Sequence, residues 1–112
     1  MKKMVLGLLL VFGSMVLVSA QETERYRKLI AYENFVRGVY YYNSRAYSAA
    51  VDSFIKALEQ NSEDIRARIW LGKAYYHAGY EQNAVSEWEK IIEQSGGTNL
   101  LRQKLNFIFF QR

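Results

Sequence analysis

His77 is the only histidine in this chain of 112 residues, and there is no cysteine. A nucleophile beside its base, a thiolate metal cage and a disulfide framework all need partners that are missing. A triad or zinc site would have to be assembled from Ser, Asp and Glu around one imidazole, and no spacing brings them to it. The carboxylates have a plainer use. Glu33 with Arg37, Asp52 with Lys56 and Asp64 with Arg68 are acid-first pairs four residues apart. On a helix surface such pairs contribute about 0.2–0.5 kcal/mol each. Glu87, Glu89 and Glu93 are expected on the polar side of their helix, and His77 at a partly exposed helix end. No glycine-rich loop follows a strand, so nothing reads as a nucleotide cradle. The sequence therefore predicts no enzyme, no cofactor, no metal and no small-molecule substrate.

The first twenty residues have the plan of a secretory signal peptide. Lys2 and Lys3 open it, Met4 to Val18 is almost wholly apolar, and Val18-Ser19-Ala20 supplies small residues before Gln21. The apolar run is shorter than the roughly 20 residues of a membrane span, which favours removal over anchoring. Gln21 stands where a bacterial lipoprotein would carry its lipidated cysteine. The expectation is a leader at 1–20, a folded domain at 21–112, and export to the periplasm or beyond. An uncleaved leader would instead hold the domain at the inner membrane. Removing Lys2 and Lys3 lowers a net charge of +4 to +2, far from the strong basic excess of a nucleic-acid binder.

Proline is absent and glycines number seven, two of them in the leader. A strand protein of this size needs turn residues every eight to twelve positions, so the chain should be all-α. The helices must then hold the aromatic residues, among them nine tyrosines. A shift of 34 superposes Gly38 on Gly72, Tyr41 on Tyr75, Tyr42 on Tyr76, Ala50 on Ala84, Phe54 on Trp88 and Leu58 on Ile92. Within each unit, Ala50, Val51, Phe54 and Leu58, and again Ala84, Val85, Trp88, Ile91 and Ile92, form one apolar helical face. Asn43-Ser44 and Ala78-Gly79 mark turns inside each pair, Asn61-Ser62 is placed to end one helix and cap the next, and Gly96-Gly97 with Thr98 repeats that break. Five helices are expected, at 24–43, 46–60, 64–78, 82–94 and 99–111. Gly38 and Gly72 fall in mid-helix, where glycine costs about 1 kcal/mol, so a neighbouring helix must pass close to them.

The pattern resembles the tetratricopeptide repeat, a 34-residue helix-turn-helix unit. Gly38, Tyr41, Tyr47, Ala50, Phe54, Ala57 and Leu58 carry it in the first unit. Leu71, Gly72, Tyr75, Gly79, Ala84 and Trp88 carry it in the second. Asn34 and Arg68 stand where the family usually has a tryptophan or similar residue, and Ser62 and Gly96 where proline usually follows. The resemblance implies a short right-handed solenoid of about two and a half repeats: 31–61, 65–95 and a partial or capping unit at 98–112. It also implies a scaffold that takes a peptide or protein partner in a concave groove lined by the first helix of each pair. The groove residues would be Phe35, Val39, Tyr42, Arg66, Ile69, Lys73, Tyr76 and His77, an aromatic surface with a basic edge. Of Tyr40, Tyr41 and Tyr42, one should face solvent, one the core and one the groove. Phe35 and Val39 occupy the positions of the lysine and asparagine with which some members clamp a terminal carboxylate, so that clamp is absent. On the last helix Phe107 and Phe110 lie outside the core stripe of Leu101, Leu105 and Ile108, although a closing helix should be polar outside. They are a candidate assembly face, for further repeats or a second copy.

Overall fold

The computed structural model describes residues 2–97, 99, 102–104 and 106, and the side chains among them from Ser19 onward. The described chain is helical without strands: α1 spans Lys2–Asn43, α2 Tyr47–Gln60, α3 Ile65–His77 and α4 Glu81–Gln94. Three of these match expectation to within about a residue at each end. Helix α1 does not begin at 24; it runs unbroken for 42 residues from Lys2. The reason is local. No proline interrupts residues 2–24, and the Thr23 hydroxyl donates to the Ser19 carbonyl at 2.8 Å within the helix. Among the described residues, no helix is long and apolar enough to cross a membrane. Residues 99, 102–104 and 106 are helical, while Leu101, Leu105, Phe107, Ile108 and Phe110 lie outside the described residues.

Helix α2 packs on both α1 and α3, α3 packs on α4, and α1 touches α3. The apolar face read from the sequence is the one buried on α2: Ala50, Val51, Phe54, Ala57 and Leu58, with Ser53 beside them. Together with Ala67, Leu71 and Ala74 of α3 they form the main core. Ile91 and Ile92 of α4 make a second, smaller cluster against Ile69 and Trp88. Phe54 is the largest side chain in the main core with no exposure. A β-carbon on Gly38 would lie 2.5 Å from its ring, which is the close approach that glycine at mid-helix requires.

The 34-residue period extends to the backbone hydrogen bonds. Ala46 donates to the Tyr41 carbonyl at 2.9 Å and Tyr80 to that of Tyr75 at 2.8 Å. Arg45 donates to Tyr42 and Gly79 to Tyr76, Ala50 to Ala46 and Ala84 to Tyr80, Asn61 to Ala57 and Ser95 to Ile91. Each bond of a pair is the other moved by 34 positions. Both turns need one residue in the left-handed region, Gly79 at φ 92° and its counterpart Arg45 at φ 62°.

Three local expectations are corrected. The cap of α3 is Asp64, whose carboxylate accepts from the Ala67 amide at 3.2 Å, while Asn61 closes α2 and Ser62 accepts from Arg68 through its carbonyl. Among the described residues, the ion pairs are Arg68–Glu87, Lys90–Glu87 and Arg102–Glu89. None of the three acid-first pairs is among them. Glu87 is buried, not on a polar face, because it meets Arg68 across the α3–α4 contact at 2.7 Å.

Candidate functional site

Where α1 and α3 face each other, the aromatic side chains of two units meet and two cations lie over them. Trp70 is the centre. Its ring stands edge-on to Tyr42 at 5.1 Å and to Phe35 at 6.4 Å, and lies 6.0 Å from Phe54 below. The Lys73 ammonium sits 4.9 Å from the Trp70 ring centre and 5.3 Å from that of Tyr42. Two turns of α3 before Lys73, the Arg66 guanidinium lies 4.2 Å over Phe35. The spacing follows from the helix: 66, 70, 73 and 77 share one side of α3, as 35 and 42 do on α1.

The cluster continues toward the turn. Tyr47, the first residue of α2, stacks on the exposed His77 ring at 5.1 Å and 23°. Tyr42 meets both rings edge-on, at 5.4 and 5.7 Å, and Tyr76 meets His77 at 5.5 Å. Burial pushes the Tyr42 hydroxyl above the ordinary tyrosine range, and the neighbouring Tyr47 hydroxyl adds to the shift.

Six of the eight groove residues read from the sequence join this face: Phe35, Tyr42, Arg66, Lys73, Tyr76 and His77. Val39 packs against the main core at its edge. Ile69 turns away to the cluster around Ile91 and Ile92, because the neighbour on that side of α3 is α4. Sequence reasoning did not place Trp70 or Tyr47 in the site. Their signal was weak: Trp70 is the repeat counterpart of Val36, and Tyr47 lies on the second helix of its pair. Tyr40 is largely exposed and Tyr41 packs on the core, so the three consecutive tyrosines do divide among solvent, core and the aromatic face. The assembly residues Phe107 and Phe110 lie outside the described residues.

The arrangement presents ring faces and edges with positive charge held just above them. Cations over aromatic rings contribute about 0.5–1 kcal/mol at exposed sites, which favours Lys73 and Arg66 over these rings and leaves their N–H groups able to meet an anion. Among the described residues, no group of His, Cys, Asp or Glu is arranged to hold a metal ion. No family model, curated protein or solved structure matches the chain.

Proposed function

We propose that the chain is a non-catalytic interaction scaffold of the bacterial cell envelope, a short exported protein of tetratricopeptide-repeat type. Its ligand is a peptide or protein segment laid across the α1–α3 face. The single observation that supports this reading is the pair of cations, Lys73 and Arg66, held over Trp70, Tyr42 and Phe35. A segment bearing an acidic residue next to an aromatic one fits that chemistry. Its carboxylate pairs with Lys73 or Arg66 while its ring adds to the Tyr42–Trp70–His77 cluster. Aromatic side chains bring large contact area at small entropy cost, which is why they are enriched where binding energy concentrates.

The test uses the fluorescence of Trp70, made the sole tryptophan by Trp88→Phe. Peptides combining an acidic and an aromatic anchor are expected to shift its emission saturably, and Lys73→Glu with Arg66→Glu to weaken binding at least tenfold with helicity retained. Equal binding by the charge-reversed chain, or no binding by any such peptide, would sink the reading.

A further inference from the structure

The outward side of α1 is apolar. Leu29, Tyr32, Val36 and Tyr40 are 56, 58, 47 and 68 % exposed, and Tyr26 65 %. Ala31 and Gly38, buried on the other side, lie two residues beyond Leu29 and Val36, roughly 200° round the helix. A helix that is apolar on two opposite sides is normally covered on both.

The repeat shows what this side is for. Tyr32, Glu33, Val36, Arg37 and Tyr40 line a shallow groove of about 510 Å³. Their counterparts 34 residues on are Arg66, Ala67, Trp70, Leu71 and Ala74. Ala67, Leu71 and Ala74 are at most 2 % exposed and belong to the main core with Trp70 packed on them. The side of α3 that seats the second unit on the first is thus left open on α1.

Two positions distinguish the open copy from the covered one. Where α3 has Ala67 and Leu71, α1 has Glu33 and Arg37, opposite charges one turn apart that do not pair with each other among the described ion pairs. An apolar neighbour like α2 would bury both charges uncompensated, which packed interiors rarely tolerate. An antiparallel copy of α1 instead brings Glu33 opposite Arg37 and Arg37 opposite Glu33, satisfying both by one two-fold axis near Val36. Tyr40 then lies beside Leu29 and Tyr32 of the copy. A parallel copy would set Glu33 on Glu33.

We infer that the outward face of α1 is the self-association surface of this protein, joining two copies antiparallel with reciprocal Glu33–Arg37 pairs and the two-fold axis level with residue 35, beside Val36. Its exposed side chains offer on the order of 500 Å² per copy, about 1,000 Å² in all, at the lower bound of a specific interface. The dimer is therefore weak and concentration-dependent.

The experiment is a charge-reversal series on the full chain, read by sedimentation, with cysteine cross-linking on the cysteine-free background. Glu33→Arg and Arg37→Glu are each expected to weaken dimerisation roughly tenfold or more. The two variants mixed together, or both changes in one chain, are expected to restore it, since the pairs become complementary again. Under mild oxidation Val36→Cys should link to its own copy. Leu29→Cys should not link to itself but should link to Tyr40→Cys in a mixture. Self-linking of Leu29→Cys would overturn the antiparallel arrangement. Association indifferent to all three charge variants would overturn the proposal and place self-association in the leader or the last helix. A Val36→Cys chain that stays reduced in buffer, but is shielded from alkylation by anionic vesicles, would assign the face to lipid instead.

Discussion

Arg68 reaches across from α3 to Glu87 on α4, its Nη1 2.7 Å from Oε2, with 14 and 8 % of the two side chains exposed. The Arg68 Nη2 also donates to the Ser62 carbonyl at 2.8 Å, and Lys90 donates to the second Glu87 oxygen at 3.2 Å. The pair ties the α3–α4 contact to the loop that precedes α3. The same two positions in the first unit are Asn34 and Ser53, so the fold itself does not require charge there.

Glu87→Ala leaves a guanidinium largely buried without its counter-ion, which is expected to cost about 3 kcal/mol. Arg68 Nε already has no hydrogen-bond partner in the structure, so the pair is incompletely satisfied. Replacing both partners, Arg68→Leu with Glu87→Met, should therefore cost less than either single change. Urea unfolding midpoints of the three variants decide it; a double variant as unstable as the sum of the singles would contradict it.

Gly38→Ala should destabilise, although alanine is the better helix former by about 1 kcal/mol. The added carbon meets the Phe54 ring at 2.5 Å, and that ring is held by Phe35 at 5.9 Å and Trp70 at 6.0 Å. Overpacking of this kind costs about 1–3 kcal/mol. In a Phe54→Leu background the same change should become neutral or favourable. Thermal denaturation of the four chains reads the sign.

Arg45 occupies the left-handed region at φ 62° where its counterpart Gly79 sits at φ 92°. An L-residue there is strained by about 1–2 kcal/mol and glycine is not. Arg45→Gly should therefore stabilise the chain by about 1 kcal/mol, and Gly79→Ala should destabilise it by a similar amount. A change of the same sign in both variants would refute the equivalence of the two turns.

The raised Tyr42 hydroxyl fixes the direction of an alkaline effect. The folded chain holds that proton more tightly than the unfolded one, whose tyrosines titrate near pH 10. The stabilisation is complete below about pH 10 and is lost as pH rises from there through the folded value. Tyr42→Phe keeps the ring contacts and removes the titration. Its melting temperature should fall less than that of the parent between pH 9 and 11.

Local chemistry was legible in the sequence before any packing was known. The 34-residue shift, the apolar faces of α2 and α4 and the glycine-marked turns follow from residue periods and from backbone bonds spanning three to five positions. Those bonds form between neighbours in the chain, so the chain order alone sets them. Gly38 announced a close approach because its cost has no local remedy. The long α1 was not legible, because Gly7 and Gly13 weaken a helix upstream of residue 24 without stopping one as proline would.

The partners of each face were decided by tertiary structure alone. Val36 and Trp70 share one repeat position, yet Val36 lies open and Trp70 is packed between α1, α2 and Lys73. Ile69 packs against Ile91 and Ile92 of α4, one residue from Trp70, which joins the aromatic face. Glu87 has the sequence setting of a solvated acid, yet it is buried against Arg68 of α3. A period of 3.6 residues says which side chains share a face, but which helix covers that face depends on how the helices cross, and that is settled only when they are packed together.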